Sequence, residues 1–358
     1  MKILIEKSIL DKITNILLNF IDKKDFSNIT SHIFLMAKDK ILTLKATDYE
    51  IGIKYEIDNV NIQIEGEATV NGKNFFNIIK ILNNSSTILK TSGENLLIEQ
   101  NSSKFKLPMF NSQEFPSFPN IENKENFQIN PNLFIKSLKK ILPAIDTNNP
   151  KFELNGCLIQ SEYENITFVA TDTKRLAFCK ILNQEQNIKE NSIIIPKKAI
   201  IELQKLFFEK LELFLDEKIL IAKSNDFEFF TKLINGKFPE YQRIIPTELA
   251  QEITLDKNLV LQKIKQVSII SQDIKISIIN KEVLFENLYK ENAEAKSKFF
   301  IETEILEKIV IKTNSKYLTD FLSNIDEEQF TIGYNNPSVP FMLISQNLKT
   351  IVMPIVDQ

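Results

Sequence analysis

Apolar residues recur at three- and four-residue spacing in three stretches of the chain, and this period predicts amphipathic helices. The second stretch follows Asn130-Pro131, and the third follows Asp256, a residue type suited to cap a helix N-terminus. The predicted apolar faces are Ile9, Leu10, Ile13, Ile16, Leu17 and Phe20; Leu133, Phe134, Leu138, Ile141, Leu142 and Ile145; and Leu259, Val260, Ile264 and Val267.

Each of these stretches is followed by strand-like alternation and then by a second helical pattern. The second helices are predicted to begin near Asn71, Pro196 and Asn314. Their expected buried faces are Phe75, Phe76, Ile79 and Leu82; Ile200, Leu203, Leu206 and Phe207; and Tyr317, Leu318, Phe321, Leu322 and Ile325.

The spacing of these elements indicates an internal repeat of about 120 residues. A local phrase supports it, because Lys45-Ala46-Thr47-Asp48 recurs as Val169-Ala170-Thr171-Asp172. Two helices and several short strands per copy predict an α+β protein in which the helices pack on β-sheet. We therefore expect three similar domains, at residues 1–122, 128–247 and 248–358.

The net charge of −3 argues against a broadly basic nucleic-acid-binding surface, but the charges are unevenly distributed along the chain. Lysine fills many polar positions of the helical segments, whereas acidic residues concentrate in strands and turns. These lysines are either ordinary solvated helix faces or, if the helices share one side, a positive surface that attracts phosphates. They are Lys12, Lys73, Lys80, Lys136, Lys139, Lys140, Lys197, Lys198, Lys205, Lys263, Lys265, Lys312 and Lys316.

Several functional classes are disfavoured by missing residue types. His32 is the only histidine and is expected to be structural, so histidine-based triads and multi-histidine metal sites are excluded. The seven glycines are scattered, and Gly66 to Asn74 does not have the spacing or the final hydroxyl of a phosphate-binding P-loop. We expect no cofactor, no metal and no catalytic activity.

The chain is expected to be cytoplasmic. No apolar run approaches the roughly 18–20 residues of a membrane helix, and the N-terminus does not resemble a secretory signal. The two cysteines, Cys157 and Cys179, lack metal-ligand spacing and are predicted to be buried thiols.

Four motifs carry a family resemblance. They are Ala170-Thr171-Asp172-Thr173-Lys174-Arg175-Leu176-Ala177, the segment from Asn235-Gly236-Lys237-Phe238-Pro239 to Pro246, Leu154-Asn155-Gly156, and the tail Ile351-Val352-Met353-Pro354. With these motifs and its threefold repeat, the whole chain resembles the bacterial β sliding clamps, the β subunits of DNA polymerase III. The two arginines of the chain, Arg175 and Arg243, both fall within these motifs.

The resemblance implies the DNA clamp fold, a head-to-tail dimeric ring and a hole lined by helices. It implies a protein that encircles double-stranded DNA without reading sequence and tethers the replicative polymerase. Expected partners are a second copy of the chain, the clamp loader, the catalytic subunit of DNA polymerase III and other proteins that carry a clamp-binding motif.

The resemblance also implies site residues. A hydrophobic cleft between domains two and three would take partner peptides through Leu154, Thr171, Thr173, Lys174, Arg175, Leu176, Pro239, Arg243, Ile244, Ser338, Val352, Met353, Pro354 and Ile355. The expected DNA-facing residues are Lys24, Asn148, Lys197 and Lys198. The expected dimer contacts are Phe75, Lys104, Phe105, Lys106, Ile269 and Ile270.

Two departures from the family pattern bear on peptide preference. Thr173-Lys174 stands where the family often has Gly-His, and the tail ends in Ile355-Val356-Asp357-Gln358 rather than Met-Arg-Leu. Two other kinds of protein remain as alternatives, a repeat scaffold that never closes into a ring and an enzyme that uses carboxylates. A dimeric mass would separate the ring from the open scaffold, and turnover that depends on specific carboxylates would indicate the enzyme.

Overall fold

The computed structural model describes residues 1–25, 27–58, 60–122, 124–182, 190–206, 210–289 and 293–356, with only the backbone given for Phe127 and Gln128. The described residues form two compact units. Unit 1 comprises Met1–Pro131 together with Lys205–Leu233, and unit 2 comprises Asn132–Gln204 together with Ile234–Gln358.

Two helices occur in each sequence copy of the described chain, as the apolar spacing predicts. They are α1 (Lys7–Leu17), α2 (Gly72–Ile81), α3 (Pro131–Ile141), α4 (Lys197–Leu203), α5 (Lys257–Val267) and α6 (Ser315–Leu322). Side chains cap α2, α5 and α6, because Asn71, Asp256 and Asn314 accept backbone N–H groups of the first turn of these helices.

The first helix of each copy buries the same three positions. They are Leu10, Thr14 and Leu17 in α1; Phe134, Leu138 and Ile141 in α3; and Val260, Ile264 and Val267 in α5. The prediction was wrong at Ile9, Leu133 and Leu259, which are 38%, 36% and 41% exposed. Each precedes the first buried residue and lies at the margin of the apolar stripe.

Unit 1 contains two sheets. One is five-stranded, in the order β5 (Asn61–Ile64), β1 (Lys2–Glu6), β7 (Ser86–Ser92), β8 (Asn95–Gln100) and β9 (Ser103–Pro108). The other is eight-stranded, in the order β10 (Glu125–Gln128), β15 (Glu212–Leu215), β16 (Ile219–Lys223), β17 (Phe227–Lys232), β4 (Ile51–Ile57), β3 (Ile41–Thr47), β2 (His32–Lys38) and β6 (Gly66–Asn71).

Unit 2 also has an eight-stranded sheet. Its order is β14 (Asn191–Pro196), β11 (Gly156–Glu162), β12 (Asn165–Thr171), β13 (Arg175–Leu182), β23 (Leu348–Val352), β22 (Phe341–Ile344), β21 (Gln329–Tyr334) and β18 (Gln251–Asp256). Two long strands, β19 (Asp273–Asn287) and β20 (Lys296–Asn314), pair separately. Lys312, expected on a helical segment, lies on β20.

Each eight-stranded sheet joins strands from two sequence copies, through the pairs β4–β17 and β13–β23. The α+β prediction is confirmed. The compact units follow these shared sheets, so the boundaries 1–122, 128–247 and 248–358 remain predictions. No described helix is long and apolar enough to cross a membrane.

Three side chains have a notable environment in the core. Cys157 and Cys179 are buried free thiols, as predicted, and burial raises the pKa of both. Phe75, predicted at a dimer contact, is fully buried within unit 1. That prediction was wrong, because Phe75 lies on the inward face of α2, one helical turn before the buried Ile79. Phe207, expected in the core, lies outside the described residues.

Candidate functional site

One face of the eight-stranded sheet of unit 2 holds a continuous apolar cluster. We use the name apolar cluster for its eight buried residues, which are Leu154, Leu158, Val169, Leu176, Ile194, Phe238, Met342 and Ile351. Each of the four sequence motifs contributes one member, and strands β11, β12, β14 and β22 contribute Leu158, Val169, Ile194 and Met342. Four segments that are remote in sequence thus converge on one surface within a single unit.

Strand pairing brings the tail to the Ala-Thr-Asp motif. In the β13–β23 register, Leu176 lies opposite Ile351. Just beyond the strand, the Met353 N–H donates to the Lys174 carbonyl at 2.9 Å. Met353 is therefore fixed beside the turn that joins β12 to β13.

The second motif packs against the third. Gly236 has φ +151°, and a Cβ there would lie only 2.6 Å from Cγ of Glu153, so glycine permits the close approach. The following segment is anchored by Tyr241, whose hydroxyl donates to Oε1 of Gln160 at 2.9 Å. This contact sets the position of the short 3₁₀ turn Tyr241–Ile244.

The turn between β12 and β13 is held by its own side chains. The Thr171 hydroxyl donates to the Arg175 carbonyl at 2.7 Å, and Oδ1 of Asp172 accepts the N–H groups of Lys174 and Arg175 at 3.1 and 2.9 Å. Thr173 at the tip has φ +70°, which is unfavourable for a β-branched residue.

The predicted cleft residues divide into a floor and a rim. Leu154 and Leu176 are buried in the floor, 3% and 1% exposed, whereas Ile244 and Met353 on the rim are 51% and 47% exposed. Single exposed apolar side chains are common, but two beside a buried apolar cluster form a surface suited to apolar groups of a partner. Of the remaining predicted members, Thr171, Pro354 and Ile355 are half-buried, and Thr173, Lys174, Pro239, Arg243 and Ser338 are exposed.

Arg243 extends from this rim into solvent. Its side chain is 81% exposed, and its guanidinium lies 2.5 Å from the Glu240 carboxylate. A charged pair so exposed contributes little to stability and can exchange partners at little cost. Arg243 is thus accessible from solvent, and its contact with a peptide remains a prediction.

Two of the predicted cleft residues were wrong. Arg175 and Val352 lie opposite each other in the register, one residue out of phase with Leu176 and Ile351. Since successive side chains of a strand point to opposite faces, they lie on the other side of the sheet from the apolar cluster. Val352 is fully buried there, and Ile351 takes the place expected for it.

Arg175 is instead the centre of a buried ion-pair network. Its guanidinium donates to Asp172 at 3.1 Å, to Asp320 of α6 at 2.8 Å and to the Pro143 carbonyl. It also lies over the Tyr317 ring, 4.7 Å from the centroid. With its side chain 5% exposed, Arg175 connects sequence copies two and three rather than meeting a peptide.

A small cavity on this opposite face adjoins the network, lined in part by Lys140, Tyr317 and Thr350. Lys140 was expected to be a solvated helix lysine, but it is buried and its ammonium donates to Oδ1 of Asn347 at 2.8 Å. That expectation was wrong, because α3 presents this position to the third sequence copy.

The residues predicted to face DNA have different environments. Lys24, Asn148 and Lys198 are exposed. Lys197 is half-buried, and this burial lowers its pKa; its ammonium donates to the Ile145 carbonyl at 2.6 Å. None of these contacts tests DNA binding, and the four assignments remain predictions.

The remaining predicted dimer contacts lie at the surface. Lys104 and Lys106 are exposed on β9, the last strand of its sheet, and Phe105 between them is half-buried. Ile269 and Ile270, just after α5, are 79% and 46% exposed. These five residues remain predictions for an interface.

The predicted site omitted six members of the apolar cluster: Leu158, Val169, Ile194, Phe238, Met342 and Ile351. Phe238 stood inside a quoted motif, and its apolar character beside Pro239 was a usable signal. Ile351 could be distinguished from Val352 only by the strand register. Met342 carried no local signal. Among the described residues, no group of three or more His, Cys, Asp or Glu side chains is placed to hold a metal ion.

Comparison with known proteins covers the whole chain. The sequence matches the N-terminal, central and C-terminal domains of the DNA polymerase III beta subunit over residues 1–119, 128–240 and 242–356. It is 36% identical to the beta sliding clamp of Helicobacter pylori strain J99, across 99% of this chain and 100% of that protein.

Solved structures agree with this match. The chain is similar to the Helicobacter pylori beta clamp bound to a DNA ligase peptide, with a TM-score of 0.95 and 37% identity over 100% of both chains. The DNA polymerase sliding clamp of Bacillus subtilis shares the fold, with a TM-score of 0.94 at 20% identity over 100% of both chains.

Proposed function

Since the chain belongs to the DNA polymerase III beta subunit family, the beta sliding clamps, we propose that it encircles duplex DNA and tethers the replicative polymerase for processive synthesis. The observation that carries the docking part of this proposal is the apolar cluster with its exposed rim. We also propose that the chain has no catalytic activity and that it acts in the cytoplasm with the replication machinery.

Partner peptides would dock on the apolar cluster. Their leucine and aromatic side chains would cover Ile244 and Met353 and approach the floor at Leu154 and Leu176. Methionine suits such a surface because its flexible thioether adapts to several shapes. A related clamp in this family, that of Helicobacter pylori, has been crystallised with a DNA ligase peptide. We propose the clamp loader and the catalytic subunit of DNA polymerase III as partners of the same surface.

The DNA-binding face would be formed by lysines on the first helices. Lys12 and Lys136 occupy the same position of α1 and α3, and Lys139 and Lys265 occupy the same position of α3 and α5; all four are exposed. Lysine contacts to phosphate are independent of base sequence and weaken with salt. A repeated lysine face therefore suits a protein that moves along DNA of any sequence.

Ring closure would join the exposed edge of β9 in one protomer to β20 in another. An open strand edge can extend a sheet across an interface, and a head-to-tail contact that closes leaves no such edge exposed. In this arrangement Lys104 and Lys106 of β9 would face exposed Glu302 and Glu304 of β20, and Lys104 already lies 3.6 Å from Glu99 of its own sheet. Lys298, also on β20, is already paired with Glu282 at 2.7 Å.

The docking proposal is tested by titrating the full-length protein with a labelled peptide that carries a Gln-Leu-x-Leu-Phe clamp-binding motif. We expect saturable binding that Arg243→Ala and Met353→Ala each weaken about fivefold to tenfold, within the usual range for rim and anchor residues. Tyr163→Ala is the matched control, because Tyr163 is 77% exposed in the same unit but lies in the turn between β11 and β12, at the opposite end of β12 from Thr171. Equal binding by all variants would reject this location.

The mass of the protein in solution tests the ring separately. A dimer that persists at micromolar concentration supports a closed ring, whereas a monomer would favour the open repeat scaffold. The two measurements are independent, so a failed peptide site leaves the ring standing and a failed ring leaves the peptide site standing.

A further inference from the structure

Unit 1 contains a second copy of the sheet that carries the apolar cluster. Starting from β6, its order is β6-β2-β3-β4-β17-β16-β15-β10, and the order in unit 2 is β14-β11-β12-β13-β23-β22-β21-β18. In both sheets a four-stranded half from one sequence copy is joined to strands from the next copy. The junction of copies one and two thus repeats the junction of copies two and three.

The turn between β3 and β4 repeats the turn between β12 and β13. The Thr47 hydroxyl donates to the Ile51 carbonyl at 2.8 Å, and Oδ1 of Asp48 accepts the N–H groups of Glu50 and Ile51, each at 3.0 Å. Tyr49 at the tip has φ +74°, close to the +70° of Thr173. The Ala-Thr-Asp phrase therefore forms the same turn in both of its occurrences in this chain.

The following strand register fixes the equivalent positions. The Lys232 N–H donates to the Glu50 carbonyl at 2.8 Å, as the Met353 N–H donates to Lys174. Phe230 lies opposite Gly52 in the β4–β17 pair. Gly52 and Phe230 in unit 1 thus correspond to Leu176 and Ile351 in unit 2.

This pair of residues fills the counterpart of the cleft. A Cβ at Gly52 would lie only 2.2 Å from Cε1 of Phe230, so the phenyl ring occupies the volume into which a leucine side chain would extend. The ring is 7% exposed and contacts the Phe118 ring edge-on at a centroid distance of 5.0 Å. Ile121 packs against the same cluster rather than extending into solvent.

The segment that crosses this face also repeats. Phe115-Pro116-Ser117-Phe118 corresponds to Phe238-Pro239-Glu240-Tyr241, and three residues later Ile121 corresponds to Ile244. The chemistry of the face nevertheless differs. Ile244 is 51% exposed in unit 2, whereas its counterpart Ile121 is half-buried.

Two lysines of unit 1 form a second chemical difference from the corresponding surface of unit 2. Lys45, at the position of Val169, places its ammonium 5.4 Å from the centroid of the Phe118 ring, and burial lowers the pKa of this lysine. Lys232 stands at the position of Met353. At the two rim positions unit 1 therefore has the half-buried Ile121 and the charged Lys232, and an apolar peptide side chain would have to desolvate its lysines.

We infer that the junction of copies one and two is a closed counterpart of the peptide-binding cleft, and that the Gly52–Phe230 pair closes it. The ring of Phe230 takes the place that a partner side chain would need above the sheet. This inference rests on the proposed peptide-docking function. It explains why a chain with two equivalent junctions would present one peptide site, at the Leu176–Ile351 pair.

The first test transfers the closing pair into the cleft. We expect the double variant Leu176→Gly/Ile351→Phe to bind the labelled Gln-Leu-x-Leu-Phe peptide at least tenfold more weakly than the parent, a difference of about 1.4 kcal/mol. Its dimer mass and far-ultraviolet circular dichroism should match the parent. Affinity within twofold of the parent, in a folded dimer, would overturn the inference.

The second test opens the counterpart. In Gly52→Leu/Phe230→Ile/Lys232→Met, the residues of the cleft replace those of unit 1, and calorimetric stoichiometry should rise from one peptide per chain toward two. Lys232→Met alone is the control and should stay at one. A folded triple variant that binds one peptide per chain up to millimolar peptide would overturn the role of the pair.

Titration of the parent protein distinguishes the peptide-docking proposal from the inference of a closed counterpart. No binding of the peptide by the parent would reject the docking proposal itself. Two peptides per parent chain would leave that proposal intact and overturn the closed counterpart. If one multiple variant does not fold, the other decides the question alone, because the two alter different units.

Discussion

Arg175 and Arg243 differ in their access to water, and this difference determines what each guanidinium can do. Arg175 is enclosed between Asp172, Asp320 and the Pro143 carbonyl, whereas Arg243 is largely solvated. Replacing the planar donor of a buried network leaves carboxylates without partners, which is costly. The same replacement at an exposed pair changes little.

Arg175→Lys should therefore lower the free energy of unfolding by about 2–3 kcal/mol, because one ammonium cannot bridge three acceptors in fixed positions. Arg243→Lys is the matched control and should stay within about 0.5 kcal/mol of the parent. Equilibrium unfolding in urea measures both. Equal losses in the two variants would contradict the assignment of Arg175 to a structural network.

His32, the one histidine of the chain, provides a pH dependence. Its ring stacks on Phe110 at a centroid distance of 4.1 Å, and within the described part of the chain its buried Nδ1 has no hydrogen-bond partner. Burial lowers its pKa from 6.5 to about 4. The unfolded chain therefore binds the proton more readily than the folded chain. The free energy of unfolding is highest above pH 6.5 and declines as the pH falls toward 4.

Between pH 7 and pH 5 the parent should lose about 2 kcal/mol of unfolding free energy to this group. His32→Gln removes the titration and should show a correspondingly smaller loss over the same interval. Urea unfolding at several pH values gives the comparison. Parallel pH profiles of parent and variant would refute this role of His32.

Sequence predicted the members of the site better than their orientation. Leu154, Leu176, Ile244 and Met353 were identified from the motifs and lie on one apolar surface, and their contact with a peptide remains a prediction. The assignment of Arg175 and Val352 to the cleft was wrong because a motif lists consecutive residues, whereas alternate residues of a strand point to opposite faces of the sheet. The register that decides the face depends on a strand more than 150 residues away, which no local pattern contains.

At the scale of elements, the turn between β12 and β13 combines a favourable hydrogen-bond set with an unfavourable backbone. A left-handed conformation costs a β-branched residue roughly 1–2 kcal/mol, and glycine adopts it freely. The side-chain bonds of Thr171 and Asp172 hold Thr173 in this conformation. The residue at the tip can therefore change without loss of the turn.

Thr173→Gly should raise the unfolding free energy by up to about 1 kcal/mol, because the relief of strain exceeds the added freedom of the unfolded chain. Lys174→Gly is the neighbouring control and should lower it by about 0.5–1 kcal/mol, since Lys174 is not in the left-handed region. Thermal unfolding followed by circular dichroism distinguishes them. A loss at Thr173 as large as that at Lys174 would contradict the strain argument.

Helices were predicted well and sheets poorly, for a physical reason. A helix is encoded by contacts three and four residues apart, so the apolar period marks all six helices and Asp256 marks the start of one. Sheet order depends on distant strands. The junctions β4–β17 and β13–β23, which merge neighbouring sequence copies, could not be deduced from alternation alone.

At the scale of the whole molecule, the proposed ring depends on side chains that a single chain leaves uncovered. Ile269→Asp should convert the dimer to monomers at micromolar concentration, because Ile269 is 79% exposed and a carboxylate would be desolvated in an apolar contact. Leu182→Asp, at a side chain 73% exposed in the same unit, should remain dimeric. Sedimentation equilibrium reports the result, and a dimeric Ile269→Asp would remove this residue from the interface.

The β13–β23 pairing has a consequence for synthesis on the ribosome. Strand β13 ends at Leu182, but its neighbour ends at Val352. At roughly 5–20 residues per second, translation takes on the order of ten to thirty seconds to cover this interval. During that time a nascent chain carries an unpaired, largely apolar strand edge, the kind of edge that recruits chaperones or other nascent chains. Chains truncated before β23 should therefore accumulate as aggregates, even when the whole of the second sequence copy has been made.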